Sequence, residues 1–222
     1  MTSKRVKDLY CEIQKQIFYM IPEKWDKVYL YFSILERPNN LETGELYFYY
    51  IPKGVLKKNP INVYQIPKRF NIDEEEYVKL VNKLYNTIKT LRNIHSEETL
   101  KIWNSVTILI GDFKFIVEYN YDEYIDSKYS SYDKHQIFRY KHLDIPLSSF
   151  NKKDRKMIEK YFYELSNYKP DTELYYEPMY KAPFKTITAN SKESNIKYIK
   201  EDDLLRIEDK KEIISQILKS EV

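Results

Sequence analysis

Residues 27–36 carry the feature of this sequence that most restricts its fold. Between Val28 and Ile34 every residue except Ser33 is aliphatic, β-branched or aromatic. Successive side chains of a β-strand point to opposite faces of a sheet, so a run that is apolar at both alternating sets is typical of a largely buried strand. We therefore predict that this segment is the central or near-central strand of an antiparallel sheet. The two faces would carry Val28, Leu30, Phe32 and Ile34 on one side and Tyr29, Tyr31, Ser33 and Leu35 on the other.

Four further segments have strand patterns. Pro38, Asn39, Asn40 and Gly44 supply turn residues before the second strand, so the first two strands form a hairpin with a long loop. The Gly-Asp pair at 111–112 predicts a tight hairpin in which the glycine supplies the positive φ. After it, alternation from Phe113 places one apolar face on the last strand. The predicted strands after the first are 45–51, 61–66, 103–110 and 113–121.

Helical periodicity flanks these strands. Residues 3–21 form an amphipathic pattern with Ser3 as its N-cap, and Asp73 and Glu76 have capping-box spacing before the strongest helix. Residues 132–143 predict another helix, and Ser149 is the expected N-cap of a helix over 151–165. A last helical pattern covers 201–220. The chain is thus expected to be α+β, with an antiparallel sheet of about five strands and N-terminal, middle and C-terminal helices packed on it. We divide it into a domain at 1–146 and a helical extension at 147–222.

Composition limits the function. Only three glycines occur among 222 residues, and none has the spacing of a phosphate-binding loop. The net charge of +3 is too small to indicate a dedicated nucleic-acid binder. A single cysteine permits no internal disulfide, and no apolar run is long enough to span a bilayer. The protein is expected in the cytoplasm.

No catalytic or metal-binding pattern stands out. The chain lacks the signatures of serine hydrolases, zinc proteases and kinases, and we expect neither an enzyme nor a cofactor. His135 and His142 lie seven residues apart, whereas zinc-binding pairs usually lie three to five apart, so no metal site is predicted. His95 is also expected to have a surface or capping role.

Four acidic residues form the most concentrated negative group. They follow the predicted strand 113–121, at one end of the sheet, where they could meet a basic protein surface. A solvated sheet end explains the same residues. The candidate contact residues are Glu118, Asp122, Glu123 and Asp126.

An alternative function uses the tyrosines of the first two strands. If Tyr29, Tyr31, Tyr47 and Tyr49 were exposed on one sheet face among lysines, they would offer a stacking platform for single-stranded nucleic acid. Such a protein would bind DNA or RNA with a steep dependence on salt.

Several segments resemble a known family in sequence order. The chain is similar to the YezG/EsaG family of antitoxin, or immunity, proteins from residue 6 to about residue 165. The run Tyr140–Asp144 has His142 and Asp144 where that family often has Tyr and Gly. The matching segments are IPEKWDKVYLYFSI, ELYFYYIPKG, YQIPKRFNID, LVNKLYNTIKTL, WNSVTILIGDFKFIVEYNYD and IFRYKHLDIP.

The resemblance implies a cytoplasmic protein of Gram-positive bacteria that neutralises a cognate toxin. The partner would be the nuclease domain of an LXG-type effector of the type VII secretion system. Inhibition would be stoichiometric, without direct contact with nucleic acid or membrane and without catalytic residues to carry over. A homodimer is also compatible with the resemblance.

Overall fold

The sheet expected from the sequence is the centre of the structure. A computed structural model describes residues 2–37, 41–54, 59–122 and 128–179. Its six strands are all antiparallel and lie in the order β3-β2-β1-β4-β5-β6, so β1 is an internal strand as predicted. The strands are β1 (Trp25–Arg37), β2 (Leu41–Pro52), β3 (Ile61–Asn62), β4 (Ser105–Gly111), β5 (Lys114–Asn120) and β6 (Thr172–Pro178).

Helices precede, interrupt and follow the strands, which makes the fold α+β as expected, although the described sheet has six strands where about five were predicted. Two short 3-10 turns cover Val63–Gln65 and Leu147–Ser149. The helices are α1 (Lys4–Met20), α2 (Ile66–Phe70), α3 (Glu74–Thr99), α4 (Ser131–His142) and α5 (Lys152–Ser166).

One face of the sheet, called here the core face, packs against α1 and α3. Val28, Leu30 and Phe32 of β1 are fully buried there, as the alternation predicts. Trp103 is also fully buried, with its ring 6.0 Å from Phe32. Residues from both helices and four strands complete this apolar cluster, including Ile13, Ile17, Phe48, Leu84, Ile88, Val106, Ile108, Phe115 and Val117.

The helix starts follow ordinary capping chemistry. The Ser3 hydroxyl accepts the Val6 N–H at 3.2 Å, and the Asp73 carboxylate accepts the Glu76 N–H at 2.9 Å, so both predicted N-caps are confirmed. The prediction for Ser149 is wrong: it lies in a 3-10 turn, and the cap of α5 is Asn151. Two residues after α4, Asp144 has φ 52°, a left-handed conformation that glycine would adopt without strain.

Both glycine assignments need correction. Gly44 is not in the turn but within β2, opposite Ile34, and a Cβ at this position would overlap the Tyr85 ring of α3. In the β4–β5 hairpin the positive φ values belong to Asp112 and Phe113, at 51° and 61°, and not to Gly111. Gly111 instead allows close approach, since an added Cβ would lie 2.9 Å from Lys27 Cγ.

The structure also differs from the predictions for the third strand and for the segment that begins at 147. The third strand was expected over 61–66, but only Ile61 and Asn62 pair with β2, because Pro67 is tolerated in the first turn of α2 and the chain turns into that helix. In the described part of the expected extension from 147, the α-helix is α5, and residues 172–178 form β6 on β5 instead of a helix. The helical pattern at 201–220 lies outside the described residues.

Candidate interaction surface

The second face of the sheet, called here the tyrosine face, carries the candidate surface. The strand registers align its side chains in rows that cross from β2 to β6. The first row is polar, the second is mixed and the third is aromatic and aliphatic. In strand order these rows are Glu45, Ser33, Ser105, Asn120 and Thr172; Tyr47, Tyr31, Thr107, Glu118 and Leu174; and Tyr49, Tyr29, Leu109, Ile116 and Tyr176.

Helix α4 covers the β1–β2 half of this face. Phe138 of α4 lies 6.1 Å from the Tyr31 ring and 5.8 Å from the Tyr47 ring, and Tyr29 and Tyr49 are buried. Burial at Tyr29 and Tyr49 also raises the pKa of each phenol. The tyrosines therefore do not form the exposed platform that the nucleic-acid hypothesis requires, and that prediction is wrong.

Polar contacts fix α4 in this position. The Lys134 ammonium lies 3.6 Å from the Glu45 carboxylate, and both side chains are nearly buried, with exposed fractions of 8% and 11%. Glu45 also accepts hydrogen bonds from the hydroxyls of Tyr47 and Ser131. Because the buried carboxylate has a cation and two donors, its charge is compensated inside the protein.

His135 and His142 both belong to this helix and both pack against rings. His135 Nε2 lies 2.7 Å from the Tyr49 hydroxyl, and its ring lies 4.5 Å from that of Tyr47. His142 packs on Phe138 at 5.1 Å. Burial, with a smaller contribution from Lys141, lowers the pKa of His142 to about 3, so the imidazole is neutral at physiological pH.

A cleft separates α4 and α5 from the sheet. Its volume is about 120 Å³, and its lining mixes sheet residues such as Thr107 and Asn120 with Tyr161 and Leu165 of α5. Glu118 and Lys141 lie in the lining as an ion pair with a separation of 3.4 Å.

Toward β6, the second and third rows form an apolar area that we call the open patch, made up of Leu109, Ile116, Leu174 and Tyr176. Leu109 and Ile116 are partly buried, whereas Leu174 is 52% exposed and Tyr176 is 65% exposed. Phe113, in the neighbouring hairpin turn, is 77% exposed and does not join the core face as its strand position predicted. Clustered exposed aromatic and aliphatic side chains are characteristic of protein interaction sites.

The predicted acidic group is only partly described. Glu118 is on the tyrosine face, next to Leu174 and paired with Lys141. Asp122 lies two residues beyond β5, where its carboxylate accepts the Tyr168 hydroxyl and its N–H donates to Asn120 Oδ1. Glu123 and Asp126 lie outside the described residues. Glu118 therefore borders the open patch through Leu174, whereas Asp122 lies past the C-terminal end of β5, six positions along the chain from Ile116.

Sequence reasoning missed Leu174 and Tyr176. The run TELYYEP is bounded by Pro170 and Pro178, and its aromatic and aliphatic residues have strand propensity. That signal could have predicted a short strand. The exposed position of these side chains follows only from the neighbours that β6 has in the sheet.

A protein-family model matches most of the described chain. The family model described as "Immunity protein YezG-like" matches residues 6–175, from α1 into β6. The chain belongs to the YezG-like immunity protein family. The match therefore covers β1–β5, α4, α5 and the first four residues of β6, and both Glu118 and Leu174 fall within it.

The match to each of three relatives covers most of that relative's length. The chain is similar to Immunity protein YezG of Bacillus spizizenii, with 30% identity over 146 residues, 65% of this chain and 86% of that protein. It is 29% identical over 167 residues to the Type VII secretion system protein EsaG of Staphylococcus aureus, covering 73% of this chain and 96% of the relative. Immunity protein YezG of Bacillus subtilis is 27% identical over 143 residues, 63% of this chain and 89% of that protein.

Within the described residues, none of the helices has both the length and the apolar character that spanning a bilayer requires.

Proposed function

We propose that this immunity protein binds and neutralises the nuclease domain of a cognate LXG-type toxin exported by the type VII secretion system. The protein acts in the cytoplasm of the producing cell, without catalysis of its own. Neutralisation is stoichiometric: a folded surface covers the nucleic-acid-binding cleft of the toxin. The toxin is thereby inactive in the cell that makes it.

Family membership is the observation that carries this proposal. The family model spans most of the described chain, and one relative bears the name of a type VII secretion system protein. The open patch adds a physical reason, because its exposed apolar side chains suit a protein partner better than a small substrate.

The acidic residues give this surface its charge. A nuclease cleft is basic because it binds phosphates, so carboxylates at the β5–β6 end are complementary to it. Glu118 and Asp122 would lie at the rim, with the open patch as the apolar centre, and Glu123 and Asp126 would extend the acidic side. Rim charges of this kind raise the association rate more than they raise the affinity.

Co-expression tests the activity directly. The C-terminal nuclease domain of an LXG-type toxin from the same genome is induced in a bacterial host with or without this chain, and surviving colonies are counted. We expect survival only with the chain, and a toxin domain with an inactivated nuclease site serves as the control. Purified proteins should show inhibition that is complete at a 1:1 molar ratio. Inhibition complete at a small fraction of that ratio would contradict a stoichiometric mechanism.

Charge reversal tests the surface. Glu118→Lys combined with Asp122→Lys should slow association with the inactivated toxin domain about tenfold or more at low salt. Glu97→Lys combined with Glu75→Lys is the matched control, because both are exposed acids on α3 and the two double variants change the net charge by the same amount. Equal association rates for the two variants would remove the acids from the proposed interface.

A further inference from the structure

The outer edge of β6 has backbone groups that no described strand pairs with. Among the described strands, β6 is the last of the sheet and pairs only with β5. An edge strand presents backbone donors and acceptors on its free side, which can pair with a strand of another molecule. The strand register establishes which groups these are.

Two hydrogen bonds fix the direction of each backbone group. The Tyr121 N–H donates to the Asp171 carbonyl at 3.0 Å, and the Met179 N–H donates to the Phe113 carbonyl at 3.1 Å. In an antiparallel strand the residues that bond to one neighbour alternate with residues that face the other side. Odd-numbered residues of β6 thus face β5, and Thr172, Leu174 and Tyr176 direct their N–H and C=O groups outward.

Pro178 agrees with this assignment. It occupies an even-numbered, outward position, opposite Lys114 in the register. Proline has no N–H to donate, and within sheets it is confined largely to edge strands with that side free. The position of Pro178 therefore costs no hydrogen bond to β5.

The side chains on the two faces of β6 indicate the polarity and charge that a partner strand should have. Leu174 and Tyr176, which carry the outward backbone groups, are also the two most exposed members of the open patch. Glu173 and Glu177 point to the opposite, core face, where Glu173 accepts the Tyr121 hydroxyl at 2.7 Å and Glu177 lies 3.4 Å from Lys7. The edge thus carries apolar side chains on one face and two carboxylates on the other, of which Glu177 is already paired with Lys7.

A second copy of the chain does not suit this edge. In a fully overlapping antiparallel pair of two β6 strands, Leu174 would oppose Tyr176, and Glu173 would oppose Glu177 twice. Like charges directly opposite each other are destabilising in a sheet. A strand with basic residues at those positions would instead be complementary.

We propose that β6 is a docking strand that adds an extended segment of the toxin to the sheet, with Lys or Arg facing Glu173 and Glu177 and apolar side chains facing Leu174 and Tyr176. This inference rests on the proposed function and names the way in which the toxin is held. Backbone hydrogen bonds at Leu174 and Tyr176 supply the register, and the open patch supplies the apolar contact.

The decisive experiment compares Tyr176→Pro with Tyr176→Val. Both variants lose the aromatic ring, but only the proline variant loses the outward N–H, and neither loses a hydrogen bond to β5. The probe is the nuclease-inactivated C-terminal domain of the LXG-type toxin, and binding to the full chain is measured by calorimetry. We expect the proline variant to bind about tenfold more weakly than the valine variant or worse.

Amide hydrogen exchange on the unaltered full chain provides a test that no folding defect can obscure. The amides of Leu174 and Tyr176 should exchange rapidly in the free protein and become protected when the toxin domain binds. Protection of these amides before toxin is added would mean that the edge is already occupied and would overturn the proposal. A mass change from dimer to monomer in the proline variant alone would likewise assign the edge to a second copy.

A charge variant tests whether Glu173 and Glu177 contribute to toxin binding. Glu173→Gln with Glu177→Gln should weaken toxin binding about three- to tenfold and reduce its salt dependence, whereas Glu97→Gln should leave both unchanged. If wild type binds no toxin domain, the proposed function and the docking strand both fail. If wild type binds and the Pro, Val and Gln variants match it, only the docking strand is wrong.

Discussion

The two faces of the sheet differ in how they are covered. On the core face, two long helices bury an almost wholly apolar cluster, and the Tyr10 and Tyr119 hydroxyls pair with each other at 2.8 Å. On the tyrosine face, a shorter helix is held over half of the surface by an ion pair and hydroxyl contacts, and part of the other half, at Leu174 and Tyr176, stays open. The first face therefore provides stability, and the second has side chains available for a partner.

Substitutions on the core face should therefore affect folding, and substitutions at the open part of the tyrosine face should affect binding. Loss of apolar contacts on the core face leaves a cavity that surrounding helices cannot fill. Loss of a polar contact under α4 affects one helix, and loss of a charge beside the open patch changes little in the free protein. Four predictions test this order, and they run from the most to the least destabilising change expected near neutral pH.

Trp103→Ala should be the most destabilising single change. The indole is fully buried between Phe32 and Tyr119, and its ring lies 5.5 Å from Tyr119. We expect a loss of about 3–5 kcal/mol in the free energy of unfolding, measured by urea denaturation. Tyr163→Ala, which removes a 73% exposed aromatic ring from α5, is the control and should change stability by less than about 0.5 kcal/mol. Similar losses for both variants would contradict the distinction between the faces.

Lys134→Met should weaken the attachment of α4. The substitution leaves the Glu45 carboxylate nearly buried without its cation, although the hydroxyls of Tyr47 and Ser131 still donate to it. We expect a loss of about 2 kcal/mol in unfolding free energy. Adding Glu45→Gln should recover part of this loss, because the uncompensated charge is then removed. A double-mutant cycle with no coupling energy would show that the pair does not hold the helix.

The buried imidazole of His142 should make stability depend on pH. Its folded-state pKa of about 3 lies below the ordinary value of 6.5, so the unfolded chain binds more protons between these values. Stability is therefore full above pH 6.5 and decreases as the pH falls toward 3, by up to about 1.4 kcal/mol per pH unit. His142→Gln should have a shallower profile over pH 4–6.5 in urea denaturation. Parallel profiles would mean that His142 is protonated equally in both states.

Glu118→Gln should have the smallest effect on the free protein. Its pair with Lys141 is partly exposed, so we expect less than about 0.5 kcal/mol of change in unfolding free energy. Toxin binding should nevertheless lose part of its salt dependence, measured as affinity over a range of ionic strength. A large stability loss without any change in salt dependence would make Glu118 a structural residue instead of a contact residue.

Sequence patterns predicted the elements whose causes are local. The alternation around Phe32 gave both faces of β1, and Ser3 and Asp73 cap helices through neighbours only three residues away. Helix α4 was also predicted within one residue at each end. In each case the information lies within one strand or one helical turn.

The predictions that failed depend on contacts between distant segments. Gly44 is required by Tyr85 on α3, 41 positions later in the chain, and no property of the turn residues indicates that contact. The tyrosines of β1 and β2 are covered because α4 folds back over them, which strand periodicity cannot report. The candidate acids were located by composition alone, and whether they contact a toxin stays a prediction.

Pro178 has a consequence for how long a bound segment can be. With no amide hydrogen at that position, the exposed side of the last strand offers donors only at three alternate residues, ending at Tyr176. A partner chain that extends past Tyr176, beyond about five to six paired residues, would find no further amide donor toward this end, and only the Pro178 carbonyl could accept a bond there. Pro178 thus limits both the length over which a bound peptide can accept backbone hydrogen bonds and the alignment of that peptide along β6.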